Sequence, residues 1–213
     1  MARMKEIWAP TPENIEKAAQ IIRDGGLVIC PSDTNLAITI DPWNPRAVER
    51  VFEVKRRPGT SPLTLFIAEP GEWRRYGDHE DPERVDTLAK AFWPGPLNIV
   101  IKASDAAPRP ALMGGDSVSI GCLSNSTPHD LITAVGHPVA MTSANLSGQA
   151  NGILVDINLA FEQIGSEVDA ILDGGALNTT QSSTIISLLN GLKVLRQGDV
   201  YVEALWETNN GVR

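Results

Sequence analysis

Short apolar runs and amphipathic helical segments are interleaved along the whole sequence, which favours a sheet covered by helices. Apolar residues recur every three or four positions from Thr11 to Gly26, as on one face of a helix that the final glycines end. The run Leu27-Val28-Ile29-Cys30 follows directly and stops at Pro31, which is typical of a buried strand. Later segments repeat this mixture without a strict strand-helix-strand period. The sequence therefore predicts an α/β fold of the mixed α+β type.

The remaining elements are predicted from the same two periodicities. Helices are predicted from Asn44 to a point before Pro58, over Val85–Phe92 and Leu131–Val135, and near Ile157–Ile164. Strands are predicted at Leu36–Ile40, Leu63–Ala68, Leu97–Lys102, Ser117–Cys122, Val139–Met141, and near Ala170–Leu172, Thr184–Leu188 and Leu192–Leu195. With 213 residues, 42% of them hydrophobic, the chain has enough apolar surface for a core without disulfide or metal support.

The charge balance is acidic, with 18 basic and 26 acidic residues and a formal net charge of −8. Such a chain repels polyanions on average, so binding to nucleic acid or to a membrane surface requires a local basic patch. The sequence contains no run approaching the roughly 18 apolar residues of a membrane span. It begins without an apolar signal segment, and its two distant cysteines, Cys30 and Cys122, indicate a reducing compartment. We therefore expect a cytoplasmic protein that does not act at a membrane.

Common catalytic signatures are missing from the sequence. There is no Gly-x-x-x-x-Gly-Lys-Ser/Thr loop, no Gly-x-Gly-x-x-Gly fingerprint and no Gly-x-Ser-x-Gly nucleophile turn. The three histidines have no metal-ligand spacing and no Cys-x-x-Cys pair occurs, so no metal site is predicted. Pattern alone therefore excludes the commonest enzyme classes and names no reaction.

Four polar clusters flank the predicted strands and helices. They are Pro31–Thr34, Lys55–Pro58, Met141–Gly148, and Gln181–Thr184 together with Leu195–Gly198. Each has an ordinary structural interpretation, because serine, aspartate and threonine form turns and cations stabilise helix C-termini. Each also has a functional interpretation, since ligands collect at strand ends and arginine grips phosphate or carboxylate. On the residues alone, both interpretations stay open.

In chain order, six segments resemble the motifs of one family: Pro31–Thr34, Lys55–Pro58, Trp93–Leu97, Thr142–Gly148, Asp173–Gly175 with Ser183–Thr184, and Leu195–Gly198. This is the YrdC-like family, whose best-known members are threonylcarbamoyl-AMP synthases. The resemblance runs from about residue 15 to residue 198. It implies a single domain over residues 1–213, with a twisted mixed sheet, flanking helices and a concave substrate cleft.

The family reaction explains why no catalytic triad is needed. The amine of L-threonine combines with bicarbonate or CO₂ to give a carbamate, which attacks the α-phosphorus of ATP and expels pyrophosphate. Because the carbamate is already an anionic nucleophile, the site must supply charge neutralisation and alignment. The resemblance thus implies ATP with Mg²⁺, bicarbonate, and L-threonine or another amine as substrates. It also implies a link to the machinery that forms N6-threonylcarbamoyladenosine in tRNA.

Residue roles follow from the resemblance, position by position. Lys55 and Arg57 would be the catalytic cations that hold carboxylate and phosphate charge. The substrate-binding and nucleotide-binding residues would be Ser32, Thr34, Asn125, Ser143, Asn145, Ser183 and Arg196. Ser32 and Thr34 would line the amino-acid side of the site.

Two positions depart from the family pattern. The first motif continues as Asn35–Ile38 where the family has Val-Tyr-Gly-Leu, and Gly121 replaces an arginine that contacts ATP phosphates. Losing a charge-assisted hydrogen bond costs about 1.5–3 kcal/mol, so nucleotide binding weakens unless Arg56 or Arg109 reaches the site. We also expect Gly121→Arg to strengthen it. Three functions remain open: the synthase, a carbamoyl-adenylate enzyme with another acceptor, and a non-catalytic nucleotide-binding or RNA-binding module.

Overall fold

The structure is a computed structural model that describes residues 6–56, 62–149, 154–174 and 179–202. Its strands are β1 Ile7–Trp8, β2 Val28–Pro31, β3 Leu36–Ile40, β4 Thr64–Phe66, β5 Gly77–Asp78, β6 Gly95–Ala103, β7 Ser117–Cys122, β8 Val139–Ser143, β9 Ala170–Leu172, β10 Thr184–Ser187 and β11 Lys193–Arg196. Its α-helices are α1 Pro12–Arg23, α2 Pro45–Val54, α3 Trp73–Tyr76, α4 Pro82–Phe92, α5 Ser126–Val135 and α6 Ile157–Ile164. Two short 3₁₀ helices cover Pro70–Glu72 and Arg109–Leu112.

Side-chain caps fix where the longer helices begin. The capping residues are Thr11, Asn44, Asp81, Asn125 and Asp156. In α1, α2 and α4 a proline follows the cap directly, where its missing N–H removes no hydrogen bond. The helix predicted over Leu131–Val135 is longer in the structure, because Asn125 accepts a hydrogen bond from the Thr127 N–H and starts α5 earlier.

The strands of the described residues join in one mixed sheet, as the family resemblance implied. Its order is β1-β9-β2-β3-β8-β4-β7-β6-β10-β11, and β5 pairs with β6 beside this path. The parallel pairs are β1/β9, β9/β2, β4/β7 and β6/β10, and the other pairs are antiparallel. The predicted elements are confirmed apart from their ends, whereas β1, α3 and β5 were not predicted. The domain bounds of 1–213 stay a prediction.

Helices cover the sheet on both faces because successive strand residues point to opposite sides. In β2, Val28 and Cys30 pack in a core with α1 and α5, whereas Ile29 packs in a core with α2 and α6. A third core lies between the other half of the sheet and α3 and α4, and includes Leu65 and Ile99. Full burial of such an aliphatic side chain stabilises the fold by about 1.5–3 kcal/mol. Among the described residues, no helix is long and apolar enough to cross a membrane.

The sheet bends into a concave cleft. Thr34, just after β2, contacts Ser183, just before β10, with 3.3 Å between the two hydroxyl oxygens. In the sheet order, β2 and β10 are six strand spacings apart, which is about 29 Å in a flat sheet with strands about 4.8 Å apart. The two segments meet only because the sheet twists and curves toward one face. This confirms the predicted concave cleft.

Candidate active site

The turn between β2 and β3 is shaped by its own polar side chains. Ser32 Oγ donates to the Asn35 carbonyl at 2.7 Å and accepts from the N–H groups of Thr34 and Asn35 at 3.2 and 3.0 Å. The Asp33 carboxylate accepts the N–H groups of Ser124 and Asn125 at 2.9–3.0 Å. Asp33 therefore fastens the turn to the start of α5, and the Thr34 hydroxyl contacts the Ser183 hydroxyl across the cleft.

A cavity of about 290 Å³ opens on the concave face beside this turn. Its lining includes five of the nine residues predicted for the site, which come from four separate parts of the chain. They are Ser32, Thr34, Ser143, Ser183 and Arg196. Further polar groups facing the cavity are Asn35, Thr64, Asn98, Thr142 and Ser182. The lining is rich in hydroxyl and amide groups, which bind anionic oxygens by donating hydrogen bonds.

Lys55 lies next to the cavity, at the C-terminal end of α2. It is 2% exposed, and its ammonium donates to the carbonyl oxygens of Ser143 and Asn145, the latter at 2.8 Å. The Ser143 Oγ lies 3.5 Å from Lys55 Nζ. An ammonium this buried needs such acceptors, because an unpaired buried charge is strongly unfavourable. Lys55 therefore ties α2 to the turn after β8 and lies outside the set of lining residues.

The other predicted residues support the cavity in different ways. Asn145 is 4% exposed, and its Oδ1 has no hydrogen-bond partner among the described residues. Asn125 caps α5 and donates to the Ser32 carbonyl at 3.3 Å, so it lies behind the turn and holds it in place. Arg57 lies outside the described residues.

The floor of the cavity is a row of residues paired across five strands. The register joins Phe66 to Gly121, Gly121 to Asn98, Asn98 to Ile185, and Ile185 to Arg196. All of them except the glycine line the cavity. Asn98 is 6% exposed, although it stands within an otherwise apolar part of β6. That lone amide in an apolar strand is the signal by which sequence analysis could have found it.

Gly121 leaves room for its two neighbours in this row. A Cβ built at Gly121 would lie 2.5 Å from Asn98 Oδ1 and 2.7 Å from the Phe66 ring, far inside van der Waals contact. An arginine at this position would have to displace both side chains. The expected gain in nucleotide binding from Gly121→Arg therefore does not follow from the structure.

Arg196 is the only lysine or arginine among the described residues that line the cavity. Its Nε donates to the Ser183 carbonyl at 2.9 Å. Desolvation lowers the pKa of its guanidinium, but an arginine stays charged at neutral pH. Arg109, one of the two arginines that could have replaced the missing cation, does not reach the site, because it lines a separate cavity and bonds to Asp105 at 3.2 Å. Arg56 is exposed at the end of α2.

The amino-acid sequence of this chain is similar to one protein family and to named members of it. The Sua5_yciO_yrdC family model, described as "Telomere recombination", matches residues 20–198. A Pyrococcus abyssi protein named threonylcarbamoyl-AMP synthase is 33% identical over 200 residues, which cover 93% of this chain and 58% of that one. This chain therefore spans less than two thirds of the length of that relative.

Two solved structures share the fold. P. abyssi Sua5 complexed with L-threonine is 32% identical, with a TM-score of 0.85, over 95% of this chain and 59% of that chain. Escherichia coli YciO is 24% identical, with a TM-score of 0.81, over 95% of this chain and 98% of that chain. The second similarity concerns the fold alone.

Proposed function

This chain belongs to the Sua5/YciO/YrdC family, and from that membership we propose that it forms L-threonylcarbamoyl-AMP from L-threonine, bicarbonate and ATP, with release of pyrophosphate. The product would serve the formation of N6-threonylcarbamoyladenosine in tRNA. The name of the P. abyssi relative and the threonine bound in its solved counterpart support the proposal.

The observation that carries the proposal is the cavity on the concave face. Three hydroxyl-bearing residues from separate segments, Thr34, Ser143 and Ser183, line one cavity together with Arg196. This set donates hydrogen bonds and one positive charge, which suits a reaction whose reactants are carboxylate, carbamate and phosphate. The cavity therefore fits alignment of anions better than covalent catalysis.

Neither cysteine supplies a nucleophile for a covalent route. Burial raises the pKa of the Cys30 thiol to about 12, and Cys30 Sγ lies 3.0 Å from the hydroxyl oxygen of Thr39 inside the fold. Burial also raises the pKa of the Cys122 thiol to about 12, and nearby carboxylates add to this shift. Since the thiolate is the reactive form, both side chains are inert at neutral pH.

The proposed reaction balances without a protein-bound intermediate. The threonine nitrogen bonds to the carbon of bicarbonate and water leaves, giving the carbamate. A carbamate oxygen then bonds to the α-phosphorus of ATP while the bond to the β-phosphate oxygen breaks, and pyrophosphate takes the electron pair. Arg196 would neutralise phosphate charge, and the hydroxyls of Ser143 and Ser183 would donate hydrogen bonds to phosphate oxygens. Lys55 would orient Ser143 and Asn145, and Arg57 keeps its proposed role as a second cation.

We propose that Mg²⁺ enters as part of the substrate, bound to the phosphates of ATP. Mg²⁺ keeps several waters and is commonly held by phosphate oxygens with one or two protein ligands. Among the described residues, no group of three or more His, Cys, Asp or Glu side chains is placed to hold a metal ion. The hydroxyls of the cavity would therefore contact the phosphates of ATP, and the phosphates would remain the ligands of Mg²⁺.

A second candidate is a carbamoyl-adenylate enzyme that uses another amine. It is favoured by Asn35–Ile38, which follow Ser32 and Thr34 on the amino-acid side of the site and differ there from the Val-Tyr-Gly-Leu of the family. The two candidates share ATP and bicarbonate and differ only in the amine. Non-catalytic RNA binding has less support, because a net charge of −8 opposes contact with phosphates.

The test is a pyrophosphate-release assay with MgATP, bicarbonate and a panel of amino acids. We expect release with L-threonine, dependence on bicarbonate, and the mass of threonylcarbamoyl-AMP in the product. Ser183→Ala should reduce release, whereas Thr87→Ala, which removes an exposed hydroxyl on α4, should not. Release with a different amino acid would replace the first candidate by the second. No release with any amine and no ATP binding at millimolar concentration would contradict both.

A further inference from the structure

The side chain of Asn35 joins three segments of the chain at the edge of the cavity. Its Oδ1 accepts the backbone N–H of Val155 at 2.8 Å. Its Nδ2 donates to Ser182 Oγ at 3.1 Å and to Thr34 Oγ1 at 3.2 Å. The Val155 contact fixes the orientation of the amide, because only an oxygen can accept from an N–H. Asn35 thus connects the turn after β2 with the approach to α6 and the approach to β10.

Its bond to Ser182 leads to the cation of the cavity. Ser183, the next residue, contacts Thr34 through its hydroxyl at 3.3 Å and accepts from Arg196 Nε through its carbonyl at 2.9 Å. The position of that carbonyl sets the direction of the arginine side chain. The segment that carries the carbonyl is in turn held by Asn35 and Thr34.

The place of Arg196 in the sheet explains why such support matters. Arg196 stands at the end of the floor row, on β11, which is the last strand of the sheet order. An edge strand is bonded on one side only and is less constrained than a central strand. A long arginine side chain there has many rotamers, and a fixed acceptor at the Ser183 carbonyl restricts them.

We propose that Asn35 is a positioning residue for Arg196, the one lysine or arginine among the described residues that line the cavity. The inference rests on the proposed function, because it assigns Arg196 to the phosphates of ATP. Asn35 acts through Ser182 and the Ser183 carbonyl. Removal of the Asn35 amide lets the segment before β10 move away from the turn after β2, and Arg196 loses its direction.

The experiment is a double-mutant cycle read by calorimetric titration with MgATP. The variants are Asn35→Ala, Arg196→Ala and the double variant. Asn14→Ala is the matched control, because the Asn14 amide donates to the Ala9 carbonyl at the start of α1 and neither residue lines the cavity. We expect Asn35→Ala to weaken ATP binding about tenfold in the wild-type background and less than about twofold in the Arg196→Ala background. Asn14→Ala should leave the dissociation constant unchanged.

If Asn35→Ala does not fold, a second variant, Ser182→Ala, tests the same contact. Ser182→Ala removes only the hydroxyl at the far end of the contact, and we expect about threefold weaker ATP binding that also vanishes in the Arg196→Ala background. Equal losses in the two backgrounds would mean that Asn35 and Ser182 only stabilise the fold, and the inference would be wrong while the proposed function stands. A wild-type chain that binds no ATP would contradict the proposed function and the inference together.

Discussion

Replacement of Gly121 by alanine is expected to destabilise the protein and to disturb the floor of the cavity. The added methyl group would lie 2.5 Å from Asn98 Oδ1 and 2.7 Å from Phe66 Cε1, where ordinary contacts are about 3.5–4 Å. Such overpacking in a core costs about 1–3 kcal/mol. Alanine also restricts the backbone of the unfolded chain, which offsets about 0.4–1 kcal/mol of this loss in stability. We therefore expect a net loss of about 1–2 kcal/mol in the free energy of unfolding.

Thermal unfolding measures this loss directly. For a chain of this length, 1 kcal/mol corresponds to about 2–4 °C in Tm, so Gly121→Ala should lower Tm by about 2–8 °C. Gly71→Ala is the matched control, because a Cβ at Gly71 meets no atom within 4 Å, and its Tm should stay within about 2 °C of the wild type. Gly121→Arg should lose more stability and bind ATP no more tightly. An unchanged Tm for Gly121→Ala, or tighter ATP binding by Gly121→Arg, would refute the steric argument.

Three further predictions follow from the site and the buried thiols. Lys55→Met leaves the carbonyls of Ser143 and Asn145 without their charged donor. We therefore expect the free energy of unfolding, measured with denaturant, to fall by about 1.5–3 kcal/mol, and pyrophosphate release to be lost. Retained turnover would contradict the role of Lys55. Arg196→Ala should raise the calorimetric Kd for MgATP about tenfold to a hundredfold, and an unchanged Kd would remove Arg196 from the phosphate site. In the folded protein the thiols of Cys30 and Cys122 keep their protons up to about pH 12, whereas in the unfolded chain thiols lose them above about pH 9. The free energy of unfolding should therefore fall as pH rises from about 9 to about 12. Denaturant titrations of the wild type and of Cys30→Ala should show a smaller fall in the variant, and equal slopes would contradict the burial argument.

Local sequence signals were sufficient for most helices and strands, because those signals act within a few residues. Thr11 with Pro12 and Asn44 with Pro45 start α1 and α2 through caps that are visible in the sequence. The strands β1 and β5 have two residues each and exist only because a neighbouring strand pairs with them. Two residues are too few to show a hydrophobic periodicity, so these strands could not be predicted.

The site was predicted unevenly for a different physical reason. Motif resemblance identified Ser143, Ser183 and Arg196 as residues of one site, and the structure places all three on one cavity. It gave no sign of Asn98, because the neighbour of a strand residue depends on register, and register depends on which strands pair. Whether Arg56 or Arg109 reaches the site depended on how distant parts of the chain come together, which no local pattern encodes.

The folded structure also shows where the two departures from the family pattern lie relative to each other. Motif by motif, Asn35 and Gly121 look like separate losses, since they stand 86 positions apart in the chain. On the folded chain, Gly121 belongs to the row that ends at Arg196, and Asn35 bonds to Ser182, next to the residue whose carbonyl holds Arg196. A neutral floor at Gly121 makes Arg196 more important to anion binding, and Asn35 is placed to hold the carbonyl that accepts from Arg196. The two departures therefore belong to one site, because Gly121 leaves its floor without a charge and Asn35 supports the segment that holds Arg196.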